Sequence, residues 1–493
     1  MSFLQEIHGL LRRRLVQLAT LAGVLIWAGA YSFSLKYSVL DLDIWWHLKV
    51  GDWILQHHAV PHAGILSRTA ATLPWVAYSW GYEILLSLSY RILGLLGVGI
   101  FGTILTIAVA VVVFWMLRRL SGRFWFSMAM GIAACSPVLF TLMPRPVFFT
   151  MMLFCITLTL ILEANRSGRV ELLYWLPLIF VIWANLHIQF VYGLLLVGIF
   201  VGVNVAQRIC GRFLTYPECL LPPTLPADRL LGVLAACVVA TCIGPYSFHL
   251  YQVVFQYSKA KLAYSTIIEL QAINFRFTAH YIQLLLTAAG FFAVGWQKKL
   301  DPFKLVLLTV CCVVAFRTMR DAWFICLPAA AMIADFPARS QDRDQKEFAF
   351  EWAGVAIVVC LGLVLCARNT GFTERGLDQA VSSHFPVDAV NFLRANPVPG
   401  PLYNDLGWGG FLIWYMPDYP VAVDGRNDLY GDVLDERFIK SERGDPSYTV
   451  DPYLNESGVV LLRRDLLLVE LLKRDPRFKL IYEDRLAAVF ARQ

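Results

Sequence analysis

Residues 12–47, RRRLVQLATLAGVLIWAGAYSFSLKYSVLDLDIWWH, decide the fold class of this chain. Three arginines precede an apolar run from Leu15 to Phe33, which is long enough to cross a bilayer as a helix. Because positive charge collects on the cytoplasmic side of membrane spans, this helix starts inside and ends outside. A cleavable signal peptide is the alternative, since Ala28-Gly29-Ala30 is similar to a cleavage site. In both cases Asp41 and Asp43 emerge on the outer side.

The composition indicates many such helices. The chain has 493 residues, of which 58% are hydrophobic and 16% are charged, whereas soluble domains are about 45–50% apolar and about 25% charged. Apolar runs recur along the chain and predict about eleven membrane-spanning helices, with the N-terminus inside and the C-terminus outside. The net charge of +6 excludes a nucleic-acid partner, because the basic residues cluster beside these runs. The predicted fold is a polytopic α-helical membrane protein.

Two domains are predicted: a transmembrane domain over residues 1–367 and a small extracytoplasmic α/β domain over residues 368–493. The first outer loop covers residues 35–94 and ends in GYEILLSLSYRILG, whose charges favour a helix lying in the membrane interface. In the C-terminal domain, the predicted strands are PVAVDG, GVVLLRR, FKLIYED and LAAVFAR. The predicted helices there are PVDAVNFLRANP and LLLVELLKRD.

The acidic pair after the first helix is the first candidate for chemistry. Tryptophan prefers the membrane–water boundary, so Trp45, Trp46 and Trp53 would hold the loop and its carboxylates against the bilayer. A carboxylate at this depth can be a general base, a metal ligand or the partner of a cation. Solvated acids beside an aromatic belt are the plainer alternative, because a D-x-D motif alone has little specificity.

The order of these features resembles the GT-C class of integral-membrane glycosyltransferases, which includes protein O-mannosyltransferases, oligosaccharyltransferases and aminoarabinose transferases. DLDIWWH after the first helix carries the resemblance, together with the interfacial helix and a following span that ends in LRRLSGR. Four short motifs are similar to a bacterial branch of this class: Arg145-Pro146, NLH (185–187), WGGFLIW (408–414) and VDGRND (423–428). The resemblance implies a polyprenyl-phosphate-linked sugar donor at the outer face of the bacterial cytoplasmic membrane. The acceptor would be a glycan, a lipid or a protein.

The resemblance also implies roles for individual residues. Asp41 or Asp43 would be the general base, with Asp41 preferred because it is nearer the end of the helix. The donor phosphate would be bound by arginines in short outer turns, with lipid headgroups as the alternative partner: Arg145, Arg317 and Arg320. The sugar and acceptor would be bound by polar residues of the outer cleft: His47, Glu83, Asn185 and His187. For the two histidines a structural role is the alternative, and for Glu83 an ion pair with Arg91.

Two further expectations concern ligands. Asp424, Arg426 and Asp428 follow a predicted strand, so they would either bind a ligand of the C-terminal domain or only form a turn. Asp41 and Asp43 would be the ligands of a divalent cation, Mg or Mn, if the enzyme uses one. The turn MPRP (143–146) lacks the second acid that several members of the class carry there, and Glu269 is the only obvious spare acid.

The function predicted from these features is an inverting transfer of a sugar from a polyprenyl-phosphate donor to an acceptor hydroxyl. A transporter of lipid-linked sugars is one alternative, but it needs charges within the spans, and these are nearly free of charge. A non-catalytic glycolipid-binding scaffold is the other alternative, because the second acid of the class is missing.

Overall fold

The computed structural model describes residues 3–139, 143, 145–213, 217–259, 261–336 and 349–493, most of which are helical. The helices of the first half are α1 (Phe3–Leu35), α2 (Tyr37–Leu40), α3 (Ile44–His57), α4 (Trp80–Ser121), α5 (Phe124–Leu139), α6 (Val147–Ser167), α7 (Leu176–Leu186), α8 (Phe190–Phe213) and α9 (Ala227–Thr241). Those that follow are α10 (His249–Lys259), α11 (Lys261–Thr266), α12 (Thr278–Gly295), α13 (Pro302–Arg317), α14 (Trp323–Ala334) and α15 (Ala349–Asn369). The last six are α16 (Glu374–His384), α17 (Val387–Ala395), α18 (Gly409–Tyr415), α19 (Asn427–Glu442), α20 (Pro452–Asn455) and α21 (Leu467–Leu472).

The chain folds into two compact units, each built from three segments. The first, here called the helical unit, contains Met1–Leu35, Gly102–Ser247 and Ile267–Thr370. The second, here called the mixed unit, contains Lys36–Phe101, Phe248–Thr266 and Gly371–Gln493. The mixed unit therefore joins the first loop of the sequence with its C-terminal residues.

The helical unit is organised around α14. This helix is apolar all round and buried at nearly every position, which is typical of a helix enclosed by others rather than one at a surface. It packs against α5, α6, α12 and α13. A second apolar cluster joins α1 to α15 and contains Leu21, Leu25, Phe124 and Val355.

Among the residues that the structure describes, six helical stretches are long and apolar enough to cross a membrane: Arg12–Leu40, Trp80–Ser121, Val147–Ser167, Phe190–Phe213, Thr278–Gly295 and Glu351–Asn369. The predicted class of multi-pass helical membrane protein is therefore confirmed. Other helices of the helical unit are shorter. For example, α9 has 15 residues, or about 22 Å of helix against about 30 Å of hydrocarbon. The count of about eleven spans stays a prediction.

The long helix α4 is broken where the sequence changes from charged to apolar. Leu93 and Gly94 have non-helical backbone angles, and Gly94 has a φ of 58°, which glycine adopts without steric cost. The Glu374 carboxylate accepts hydrogen bonds from the amides of Leu95 and Leu96, both at 3.2 Å, and so caps the helix that restarts there. The break predicted at Gly94 is confirmed, and the position of residues 81–94 in the membrane interface stays a prediction.

The mixed unit contains a four-stranded sheet of order β1-β2-β4-β3, built from β1 (Leu402–Asn404), β2 (Val459–Arg463), β3 (Phe478–Glu483) and β4 (Ala487–Arg492). The first pair is parallel and the other two are antiparallel. Three predicted strands are confirmed as β2, β3 and β4, and both predicted helices as α17 and α21. The predicted small α/β region is thus present in the C-terminal residues.

The predicted strand PVAVDG is wrong. Apart from one bridge between Val421 and Ser67, the segment pairs with no strand. The Asn404 side chain bonds the backbone of this segment where a neighbouring strand would otherwise do so. Its Oδ1 accepts a hydrogen bond from the Ala422 amide at 2.8 Å, and its Nδ2 donates one to the Val423 carbonyl at 2.8 Å. Because a side chain satisfies these backbone groups, the segment is extended and buried without joining the sheet.

Candidate functional site

The acidic motif forms the turn that leads into α3. Asp43 occupies the N-cap position of this helix, but its side chain makes no capping bond there. Its Oδ1 instead accepts a hydrogen bond from the Trp46 indole at 3.1 Å. Asp41 is only 2% exposed, and its Oδ1 accepts from the Asp43 amide at 3.0 Å. The two carboxylates thus differ in burial, since Asp43 is half-buried.

Two glycine-containing motifs of the C-terminal residues lie against this turn. A Cβ atom on Gly425, in VDGRND, would stand 2.3 Å from Asp43 Oδ1. A Cβ atom on Gly410, in WGGFLIW, would stand 2.6 Å from the Leu42 carbonyl oxygen. Such distances are well inside van der Waals contact, so only glycine fits here without displacement. The structure therefore brings DLD (41–43) against WGG (408–410) and VDG (423–425), which lie hundreds of residues later in the sequence.

A buried ion pair holds the VDGRND segment. Arg426 donates from Nε and Nη2 to the two oxygens of Asp424, at 2.8 and 2.7 Å, and both side chains are fully buried. Tyr430 donates to the same carboxylate at 2.7 Å. The Arg426 guanidinium also lies 4.7 Å from the centre of the Trp75 ring, which is a cation–π distance. Two parallel hydrogen bonds between opposite charges hold this pair in one geometry, which is suited to fixing a backbone.

The Trp75 side chain joins this ion pair to the first loop. Its indole donates to Asp428 Oδ2 at 3.0 Å, and its ring lies 6.2 Å from that of Trp46. Burial raises the pKa of Asp428 to about 6, although the indole donor and Arg426 lower it. The side chains of VDGRND thus contact the loop that carries the acidic motif.

His47 and Glu83, both predicted to bind sugar, are bonded to each other. His47 Nδ1 lies 3.0 Å from Glu83 Oε1, and both residues are buried. The centroid of the His47 ring lies 3.5 Å from that of Trp46, with the two ring planes tilted by 31°. Glu83 Oε2 and Arg426 Nη1 are also buried, and neither has a hydrogen-bond partner among the described residues. Glu83 therefore pairs with His47, while Arg91 pairs with Asp52 at 2.7 Å.

The name motif cluster is used below for seven predicted site residues of the mixed unit: Asp41, Asp43, His47, Glu83, Asp424, Arg426 and Asp428. From the sequence they were assigned to three sites, namely a catalytic pair, a sugar site and a separate ligand site. In the structure they form one continuous set of contacts through Trp46 and Trp75.

The predicted phosphate-binding arginines belong to the helical unit. Arg145 Nη1 and Arg320 Nη1 both face Glu269 Oε1, at 3.3 and 3.6 Å. These three residues, here called the arginine cluster, are partly exposed and carry a net charge of +1. Arg317 is exposed at the end of α13. Pro144, in the same predicted turn as Arg145, lies outside the described residues.

The other predicted polar residues of the helical unit make hydrogen bonds within that unit. His187 Nδ1 lies 2.9 Å from the Thr150 hydroxyl, and burial together with Arg320 lowers the pKa of His187 to about 3. Asn185 donates to the carbonyls of Val181 and Ile243, at 2.7 and 2.8 Å. Both arrangements satisfy the side chain internally, and a substrate-binding role for either residue stays a prediction.

Asp321, which follows Arg320 in the chain, is held by hydroxyl groups. Its Oδ2 accepts from Thr318 at 2.7 Å and from Tyr192 at 3.1 Å. Burial raises the pKa of Asp321, and these hydrogen bonds lower it. Glu269 makes the ion pairs with Arg145 and Arg320, and the positive charge of Arg320 also lowers the pKa of Asp321.

The carboxylates do not form a ready cation site. Within residues 3–139, 143, 145–213, 217–259, 261–336 and 349–493, no three His, Cys, Asp or Glu side chains are grouped to hold a metal ion. Asp41 and Asp43 each commit one oxygen to a donor of the protein itself. Divalent cations take several oxygen ligands, so the acidic pair alone fits them poorly.

The structure gives three residues in or beside the two clusters a role that the sequence does not predict. Trp75 has no predicted site role, but its indole donates a hydrogen bond to Asp428 and its ring faces Arg426. In the sequence, only its position in a predicted outer loop marks Glu269 as a candidate. In VDGRND the charged residues are the predicted site residues. The structure shows that the missing side chain of Gly425 allows Asp43 to lie close to this segment.

Comparison with known proteins gives matches of structure only. No protein-family model matches the sequence, and no curated protein sequence matches it. The chain is similar to the structure of ArnT from Cupriavidus metallidurans bound to undecaprenyl phosphate, with 12% identity, a TM-score of 0.47, and coverage of 95% of this chain and 97% of that one.

The oligosaccharyltransferase of Archaeoglobus fulgidus is similar in two structures. One is tethered to an acceptor peptide and gives 10% identity, a TM-score of 0.48, and coverage of 89% of this chain and 69% of that one. The apo form gives 9% identity, a TM-score of 0.46, and coverage of 90% and 69%. ArnT and the oligosaccharyltransferase are both GT-C glycosyltransferases, the class that the sequence resembles. At this level of likeness no activity, donor or acceptor carries over to this chain.

Proposed function

We propose that the chain is a membrane glycosyltransferase that moves a sugar from a polyprenyl-phosphate donor to an acceptor hydroxyl. The observation that carries the proposal is the held carboxylate of Asp43. It lies at the N-terminus of α3, bonded to Trp46, and is only half-buried. The positive end of a helix dipole favours the ionised form that a general base needs.

In this proposal the proton goes to Asp43, and Asp41 positions it. Asp41 is nearly inaccessible and accepts a hydrogen bond from the Asp43 amide. The acceptor O–H would transfer its proton to Asp43 while the oxygen attacks the anomeric carbon. The bond from that carbon to the phosphate oxygen breaks, and the polyprenyl phosphate leaves with the electron pair. One displacement inverts the anomeric configuration.

The leaving phosphate needs charge stabilisation more than it needs an acid. Arg145, Arg317 and Arg320 would supply this, because guanidinium groups bind phosphate oxygens with two parallel hydrogen bonds. The arginine cluster supports the assignment, since two guanidinium groups face the same carboxylate oxygen and both are partly exposed. The sugar, the acceptor, and a location in the bacterial cytoplasmic membrane with the C-terminus outside belong to the same proposal.

The test is transfer by purified protein in liposomes, using radiolabelled sugars on polyprenyl phosphate and a mixture of acceptor alcohols. Because general-base catalysis contributes roughly 100- to 10,000-fold, Asp43→Asn should lower kcat by about that factor. Asp41→Asn should have a smaller effect, and both variants should remain folded. Wild-type activity in Asp43→Asn would exclude the assigned base.

The rival with specific support is a glycolipid-binding scaffold. Most charges of the motif cluster are buried and internally paired, as expected of a structural core. Binding of labelled donor without turnover, under every acceptor tested, would favour the scaffold. Turnover that depends on Asp43 would exclude it.

A further inference from the structure

The backbone conformation at Gly425 does not itself require a glycine. Its φ lies outside the left-handed range in which glycine is favoured, so an alanine could adopt the same backbone conformation. What excludes a side chain is space alone. The three atoms nearest to a Cβ at this position would be Asp43 Oδ1 at 2.3 Å, Asp43 Cγ at 3.5 Å and Trp46 Nε1 at 3.7 Å.

All three of these atoms belong to the acidic motif. Two of them, Asp43 Oδ1 and Trp46 Nε1, are the acceptor and the donor of the hydrogen bond that holds the carboxylate. The Gly425 backbone thus lies directly over that bond. A methyl group there would have to push the carboxylate aside, because the atom it meets ends a short side chain.

The Gly425 backbone is held firmly. It lies between the two partners of the buried pair Asp424–Arg426, and the Arg426 amide also donates to Asp424 Oδ1 at 3.0 Å. Tyr430 bonds the same carboxylate. Since both neighbours are buried and bonded, the glycine cannot retreat from Asp43 without breaking the ion pair.

We infer that Gly425 is a positioning residue for Asp43: the buried Asp424–Arg426 pair fixes its backbone, and its lack of a side chain sets where the carboxylate lies. This inference rests on the proposed function, because it assigns the reacting carboxylate. It gives the C-terminal residues a part in the active site. In this inference the Asp424–Arg426 pair serves geometry rather than a separate ligand.

The experiment compares Gly425→Ala with Gly407→Ala in the liposome assay. Gly407 belongs to the same unit, and its Cβ would meet only Asp405 Oδ1 at 3.2 Å and Leu42 Cδ1 at 3.7 Å. A displacement of about 1 Å lowers the rate by up to roughly 100-fold. Gly425→Ala should therefore lower kcat by about 10- to 100-fold and leave KM unchanged, whereas Gly407→Ala should match the wild type.

A second readout does not depend on activity. A water-soluble carbodiimide with a small amine labels carboxyl groups, and mass spectrometry gives the rate at each residue. Gly425→Ala should change the labelling rate of Asp43 but not that of the exposed Asp418. Trp46→Phe removes the donor to the same oxygen and should change the rate of Asp43 as well.

These readouts separate the two ideas. A wild type without transferase activity, together with altered labelling of Asp43 in Gly425→Ala, would reject the proposed function and keep the positioning role. Wild-type kcat and wild-type labelling in Gly425→Ala would overturn the positioning role. If Gly425→Ala does not fold, unchanged Asp43 labelling in Trp46→Phe overturns it, and altered labelling supports it.

Discussion

The motif cluster and the arginine cluster use the same kinds of side chain in opposite ways. In the motif cluster, Asp424 and Arg426 are fully buried and bonded through two parallel hydrogen bonds. In the arginine cluster, Arg145 and Arg320 share one oxygen of Glu269 at longer distances, and all three are partly exposed. A buried, bidentate pair holds one geometry, whereas an exposed, shared pair is weak and exchangeable. The first arrangement suits a scaffold for catalysis and the second suits the reversible binding of an anion.

The largest expected effect is the loss of the buried pair. Arg426→Met leaves the Asp424 carboxylate buried without its cation, which costs about 3–5 kcal/mol of folding stability. Thermal unfolding in detergent, followed by tryptophan fluorescence, measures this loss. The double variant Asp424→Asn with Arg426→Met should recover much of it, because no unpaired charge remains.

The matched control for this test is an exposed ion pair of the same unit. Lys440→Gln removes the partner of Glu436 on the surface of α19 and should leave the unfolding temperature nearly unchanged. Equal losses in Arg426→Met and Lys440→Gln would contradict the distinction between the two kinds of pair.

An intermediate effect is expected in the arginine cluster. Glu269→Gln removes the negative charge that faces both guanidinium groups. A lipid phosphate would then no longer compete with a carboxylate for these two arginines. Exposed pairs contribute up to about 1 kcal/mol, so binding of undecaprenyl phosphate should tighten by about 2- to 5-fold. Arg145→Gln and Arg320→Gln should weaken it. Fluorescence competition with a labelled lipid phosphate measures the affinity.

The control here is Glu163→Gln, which breaks the ion pair with Arg119 in the same unit. Its affinity for undecaprenyl phosphate should equal that of the wild type. If Glu269→Gln behaves like Glu163→Gln, the arginine cluster is not the phosphate site.

A pH-dependent effect concerns Asp435, a buried acid of α19 beside the motif cluster. Burial raises its pKa to about 8, and the neighbouring Asp424, Asp432 and Asp428 add to the shift. A raised carboxyl pKa means that the folded state keeps a proton that the unfolded state has lost. Stability is therefore full below the ordinary pKa of 3.8 and falls as the pH rises towards 8. Asp435→Asn should raise the unfolding temperature at pH 8 but not at pH 4.

Asp388→Asn is the control for this pH dependence, since it changes an acid near the start of α17, away from α19 in the chain. An unfolding temperature of Asp435→Asn that follows the wild type at both pH values would show that Asp435 is ionised in the folded protein.

The sequence by itself determined the features that depend on neighbouring residues. Apolar length marks Val147–Ser167 and Phe190–Phe213 as membrane helices, because a bilayer sets the number of residues required. Alternation and turn residues identified β2, β3 and β4, and the charge boundary at Gly94 identified the break in α4. The identity of the candidate residues in DLD and VDGRND was also available from composition and spacing.

Only the tertiary structure decided which of these features meet. PVAVDG has the pattern of a strand, but the Asn404 side-chain amide makes the hydrogen bonds to its backbone. No local sequence pattern indicates a bonding partner from another segment. The approach of Gly425 to Asp43 joins residues 382 positions apart (425 − 43), and Glu269 reaches Arg145 across 124. Hydropathy and propensity act within a few turns, whereas such contacts depend on how the whole chain packs, so the sequence pattern names the participants but not their partners.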